Sequence, residues 1–241
     1  MSSVLRPNKR FYDKVGVGPD PEGSGFSVSL AGRPVRTPAG ARLRLPSAAL
    51  AAAVANEWLT QEERIRPETM PLTRLAATAI DRMAGHRLQV IDALASYAAS
   101  DLLCYRAVEP DDLVALQAAV WQPLVDWAAE RWGARLSIAG GVLPIAQPDD
   151  AITALRRAID RCSDLELTGV GCAVEASGSL LIGLALLDGR IDAAAAAEAA
   201  LLDERWQAGR WGVDEEAERR RREITSDLHA AAAFLSLARA A

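Results

Sequence analysis

Lysine is almost missing from this chain of 241 residues: Lys9 and Lys14 are the only two, so nearly every positive charge is a guanidinium. The planar fork of arginine suits bidentate pairing with carboxylates, although biased residue usage would leave the same mark. Acidic residues are in excess, with a formal net charge of −5, and no basic face for general nucleic-acid binding is expected. Histidine is equally scarce. His86 and His229 are too few and too far apart in sequence for a histidine-rich metal site, and the motifs GxSxG, SxxK, HExxH and GxxxxGK followed by Ser or Thr are all missing. No cofactor, no metal and no classical catalysis are therefore expected. Cys104, Cys162 and Cys172 are odd in number, lack CxxC spacing and sit among apolar or helical neighbours, the pattern of buried thiols in a reducing compartment. Long apolar runs are missing too. The longest, Leu180 to Leu187, is closed by Asp188, far short of the roughly 20 residues that span a bilayer, so it is expected to be a core helix without membrane insertion. The opening MSSVLRPNKRFYDKV has neither a signal-peptide core nor the look of a long transit peptide. That favours a bacterial cytoplasm, or a mitochondrial matrix if this is a processed eukaryotic chain.

What is present is organised by period. From Phe11 to Leu45 the residues are those of strands and turns: Phe26, Val28 and Leu30 alternate with serines, and Ala31-Gly32-Arg33-Pro34 and Thr37-Pro38-Ala39-Gly40 punctuate. A small antiparallel sheet is expected, with GVGPDPEGSG (residues 16–25) as a loop. Ser47 is placed to cap a helix carrying Leu50, Val54 and Trp58. The period changes between Leu59 and Met70, which suggests a β-rich domain with one helix over residues 1–70 and a helical domain over 71–241. In the second, two helices follow from Leu72, Leu75, Ala76, Ala79, Ile80 and Met83 and from Leu88, Ile91, Ala95, Ala98, Leu102 and Tyr105, both at the spacing of one buried face. Further helices are expected over 111–131, kinked or restarted at Pro123, over 149–162, through the glycine-punctuated 169–183 as a central helix, over 192–206 and over 214–238. The fold class is α+β, a small antiparallel β-rich unit packed on a larger, mainly helical domain.

The polar groups of MPLTRLAATAIDR and of SDLLCYRA are not demanded by packing. These two blocks, with KRFYDKV, GFSVSLAGRPVRTPAG, LPSAALAAAVANEW and WGVDEEAERRR, resemble the family of chaperones that assemble the catalytic head of ATP synthase by binding its alpha subunit. The resemblance covers most of the chain and adds little around residues 142–165. It implies an unassembled alpha subunit as partner, shielded until the beta subunit joins it, and no ATP hydrolysis by the chaperone itself. It also points to Arg74, Asp81, Asp101 and Tyr105, and to Trp211, Gly212, Asp214 and Glu215, as positions that contact the partner or organise the junction between domains.

Composition adds a second pointer. Six tryptophans stand against three phenylalanines, and ERWQAGRWGVDEE gathers Trp206, Arg210 and Trp211 where Gly209 and Gly212 interrupt the helical pattern. Trp and Arg dominate binding hot spots, while an indole beside a helix break also serves as core, so partner surface and helix plug are both open here. The rival to a binding protein is an enzyme working through Glu57, Asp81 and Asp101, against the commoner use of such carboxylates in structural ion pairs. The free chain is expected to be a monomer.

Overall fold

The computed structural model describes residues 9–141, 143–212 and 214–240, with no statement made about the side chain of Ala84. The chain separates into two compact units, Met1–His86 with Ala233–Ala241, and Arg87–Ala232.

In the first unit, β1 (Val15–Pro19) and β2 (Phe26–Leu30) pair antiparallel with Val17 opposite Val28, and β3 (Arg33–Pro34) and β4 (Arg44–Leu45) pair with the two ends of β2. Ala31 and Gly32 both have positive φ, 48° and 81°, the backbone a tight hairpin between right-twisted strands requires. Val28, Leu30, Leu43 and Leu45 are buried, and helix α1 (Ala48–Leu59) covers β1 and β2 with Leu50, Ala51 and Val54. Ser47 caps α1 as its sequence position suggests: its hydroxyl accepts from the Leu50 amide at 3.0 Å and donates to the Leu237 carbonyl at 2.6 Å. The glycine-rich stretch is only partly a loop. Its first residues are β1, because ladder pairing uses main-chain groups alone and a side chain at Gly16 would meet Ser29 Oγ at 2.9 Å.

Helix α2 (Pro71–Ser96) starts where the period changes and runs as one helix through the first apolar stripe and through Leu88, Ile91 and Ala95 of the second. The expected second helix is therefore its continuation. It ends before Tyr97, and single 3₁₀ turns over Tyr97–Ser100 and Leu102–Cys104 lead into β5 (Tyr105–Arg106). The break is at Asp101, whose extended ψ of 131° carries the chain out of the helix. The two compact units divide within α2, whose first half is tied to the sheet unit by Glu57 and Asp81, described below.

The second unit holds α3 (Asp111–Trp132), β6 (Ala139–Gly140), parallel to β5, α4 (Asp149–Asp160), α5 (Asp164–Ser177), α6 (Leu180–Leu187), α7 (Ala193–Ala200), α8 (Leu202–Trp211) and the larger part of α9 (Glu215–Arg239). All eight residues of α6 are buried, so Leu180–Leu187 is the core helix expected, packed against α3, α5 and α7. Helix α3 passes through Pro123 without restarting. The glycine-punctuated stretch is two helices rather than one: Gly178 turns left-handed at φ 73° and Ser179 caps α6 through the Ile182 amide. Leu201, buried with φ −108° and ψ 14°, likewise divides the alanine-rich helix into α7 and α8.

Helix α5 opens with a capping box, in which Ser163 accepts from the Glu166 amide and the Glu166 carboxylate accepts from the Ser163 amide at 2.8 Å. The Ser163→Ala variant is expected to lose about 1 kcal/mol, read as a shift of the urea midpoint at unchanged slope. A midpoint equal to that of the unmodified chain would mean that the box contributes nothing.

Candidate functional site

Helix α8 ends in the residues the sequence singled out, and they meet the first turn of α3. The Trp206 indole donates to Asp112 Oδ2 at 3.2 Å and the Arg210 guanidinium donates to the same oxygen at 2.6 Å. Arg210 also lies 4.3 Å above the Trp206 ring, and Trp206 meets Trp211 edge to face, with centroids 5.9 Å apart at 83°. One carboxylate thus fixes an arginine and an indole, and the indole orients the next. Slight burial pushes the Asp112 carboxyl up, but the Trp206 N–H and the Arg210 charge outweigh it and hold the group below the usual carboxylate range. Trp206 is half-buried, whereas Trp211 is 74% exposed, so the helix-plug alternative does not describe Trp211. Gly209 sits inside α8 and does not interrupt it; Gly212, at φ 91°, is the terminator. Asp214 opens α9 by accepting from the Ala217 amide at 3.1 Å, and Glu215 follows exposed in the first turn, where the helix dipole favours negative charge. The arrangement is an exposed aromatic with a fixed cation beside it and an acidic rim, residue types that recur at binding hot spots.

Asp112 escaped the sequence reading. Its only signal is its place in an acidic first turn after Pro110, while its partners lie far along the chain in α8.

The carboxylates of the enzyme alternative have structural engagements. Glu57, buried in α1, accepts from the Leu72 amide at 2.7 Å, the Thr73 amide at 2.8 Å and the Thr73 hydroxyl at 2.6 Å, and so caps α2 from a distance. Burial pushes its carboxyl up against these bonds and the charge of Arg74, which is itself exposed. Asp81 accepts from the Ala39 amide at 3.1 Å, in the turn between β3 and β4, while its Oδ1 is buried without a hydrogen bond among the described residues. Asp101, fully buried, accepts from the Ser179 hydroxyl at 2.7 Å, the Leu181 amide at 3.1 Å and the Leu103 amide at 3.1 Å. Burial pushes its carboxyl up to about 6 although these bonds favour the charged form. It is not on a helix one turn before Tyr105; it joins the turn after α2 to the start of α6. Tyr105 is half-buried in β5, opposite Ala139 of β6. Glu57, Asp81 and Asp101 share no hydrogen-bond partner among the described residues. Two of the three anchor helix N-termini, which explains their burial without an active site.

Among the described residues no group of three or more His, Cys, Asp or Glu could hold a metal ion, and no helix is long and apolar enough to cross a membrane. Cys104 and Cys162 are buried and Cys172 is half-buried. Burial, aided by the Asp101 charge, pushes the Cys104 thiol up to about 12, which removes it as a nucleophile at neutral pH.

The family profile described as ATP12 chaperone protein matches residues 9–129. The chain is similar to the crystal structure of Atp12 from Paracoccus denitrificans, with 41% identity, a TM-score of 0.89, and 96% of this chain and 98% of that one covered. It is also similar to the Atu1473 protein from Agrobacterium tumefaciens, with 39% identity, a TM-score of 0.90, and 96% and 86% covered. With a profile over more than half its length and relatives of this identity over nearly all of it, the chain belongs to the ATP12 chaperone family.

Proposed function

We propose that the protein assists assembly of the ATP synthase catalytic head by binding the unassembled alpha subunit and covering its surface until the beta subunit replaces it. An assembly chaperone must hold an aggregation-prone face tightly enough to shield it and loosely enough to release it. That calls for a few anchors in a polar rim rather than one broad apolar face. The observation that carries this reading is the exposed Trp211, braced by Trp206, Arg210 and Asp112 and flanked by the acidic start of α9. Gly212, Asp214 and Glu215 shape that rim; Arg74, Asp81, Asp101 and Tyr105 support the scaffold, because three of them are half-buried or buried within their own unit. The protein acts by stoichiometric binding, not as an enzyme, as a monomer when free, and in a bacterial cytoplasm like that of the organisms of its two similar structures.

Trp211→Ala removes a side chain that is 74% exposed and meets Trp206 edge to face, so stability should stay within about 0.5 kcal/mol, while capture of a tagged alpha subunit should fall at least about tenfold, the scale of a hot-spot truncation. Glu215→Arg should weaken capture in the same direction. Undiminished capture by both variants would move the binding surface away from the α8–α9 corner.

A further inference from the structure

A different side of α8 faces α9 across a groove of about 490 Å³. Arg205 stands on the α8 side; Glu218, Arg221, Arg222, Ser226 and His229 are among its α9 lining. Glu218 accepts from Arg221 at 2.6 and 3.2 Å and pairs with Arg222 at 3.6 Å. The Arg221 hydrogen bond first, then the charges of Arg221, Arg222 and Arg205, hold its carboxyl below the usual range. The Arg205 guanidinium makes no hydrogen bond or ion pair among the described residues. Three guanidiniums thus face one carboxylate, an excess of two positive charges in a chain whose net charge is −5. This groove was not foreseen from the sequence, because Arg205 and Arg222 lie on different helices and no local spacing brings them together.

We propose that this groove binds an acidic peptide segment, with its carboxylates seated on Arg205 and Arg222. The charge excess selects an anion, and the pairing geometry of guanidinium and carboxylate supplies direction. The length selects a chain: Glu218, Arg222, Ser226 and His229 recur along one face of α9 over three turns, roughly 16 Å at 1.5 Å per residue, more than one small anion fills. Ser226 and His229 offer hydrogen bonds to its main chain or polar side chains beyond the cationic end. Glu218 is the internal competitor, since it holds Arg221 and draws on Arg222. The groove lining includes none of Trp206, Arg210 and Trp211, so its occupancy can be tested without the alpha subunit.

The test is fluorescence anisotropy of a labelled glutamate-rich peptide with the full chain at low ionic strength. The glutamine counterpart, inorganic phosphate and ATP serve as competitors. Saturable binding of the glutamate peptide alone is expected, weakened about tenfold or more in Arg205→Ala/Arg222→Ala, whose side chains are exposed and whose far-UV spectrum should not change. Glu218→Gln should tighten binding, because it removes the competitor, and Arg33→Glu, at an exposed position in the other unit, should leave it unchanged. No saturable binding, equal loss in Arg33→Glu, or weaker binding by Glu218→Gln would overturn the proposal. So would displacement by phosphate or ATP as readily as by unlabelled peptide, which would make the groove a small-anion site.

Discussion

Replacing Asp101 by alanine is expected to destabilise the chain by about 3 kcal/mol, the range for breaking a buried hydrogen-bonded network. The carboxylate is fully buried, and without it the Leu181 amide at the start of α6, the Leu103 amide and the Ser179 hydroxyl lose their acceptor where water does not reach. Because α6 is the core helix, the loss should appear in global unfolding by urea and not as local fraying. The pH dependence separates charge from shape. The folded carboxyl titrates at about 6 against an ordinary 3.8, so the folded state holds the proton more tightly than the unfolded chain. Its linked stability is fully present below about pH 4 and is lost as pH rises to about 6, by at most roughly 3 kcal/mol for a two-unit shift. Glu57, pushed up by burial as well, acts with the same sign. Asp101→Asn keeps the shape and one acceptor but turns an amide N–H toward Leu181, and it removes the titration. Its cost relative to the unmodified chain should therefore be larger at pH 4.5 than at pH 7. A cost that is flat across this window would mean that Asp101 titrates normally in the folded protein, and a cost largest at pH 7 would mean that its carboxyl is held below the ordinary value.

The second large effect is expected at Gly183. A Cβ built there lies 2.8 Å from Val174 Cγ2 and 3.2 Å from the Val170 carbonyl oxygen, so α5 and α6 approach through this glycine. Gly183→Val adds a branched side chain where no room exists. It should cost about 3 kcal/mol, the upper end of the overpacking range, with some β-branched helix penalty besides. Gly171 in α5 is the contrast. Its nearest neighbour is Leu94 Cδ2 at an ordinary 3.8 Å, so Gly171→Ala should gain up to about 1 kcal/mol from helix propensity. Paired urea unfolding curves with equal slopes and midpoints moving in opposite directions are the expected outcome. If both variants lose stability alike, the close approach at Gly183 is not the controlling contact.

These two positions also show where a sequence can be read and where it cannot. The period of apolar residues located α1, the start of α2, α3, α4 and α9, and Ser47 was legible as a cap because both its signal and its first partner are local. The glycines of 169–183 were legible as punctuation of a helical stretch, and at Gly183 the close packing of α5 on α6 is what takes the place of a side chain. Asp101 was legible as an unusual polar group, but not as an acceptor for α6, since Ser179 and Leu181 lie far along the chain and no local spacing encodes them. The breaks at Asp101, Gly178 and Leu201 stayed hidden for a related reason: each flanking segment keeps its apolar spacing, and only tertiary burial decides where the helix stops. Strand β1 was masked by its glycines, because its pairing with β2 is a main-chain matter. At the α8 corner, the tryptophans and Arg210 were visible by type and their brace, Asp112, was not.

The central claim is that this chain holds the alpha subunit before the catalytic head forms. The most direct measurement is the fraction of a tagged alpha subunit that stays soluble when co-expressed with this chain and without the beta subunit, followed by addition of beta to the purified material. The expected result is soluble alpha subunit co-purifying with the chain, diminished by Trp211→Ala, and released from it as beta is added. Alpha subunit that aggregates to the same extent with and without the chain, with no co-purification at low or moderate salt, would contradict it.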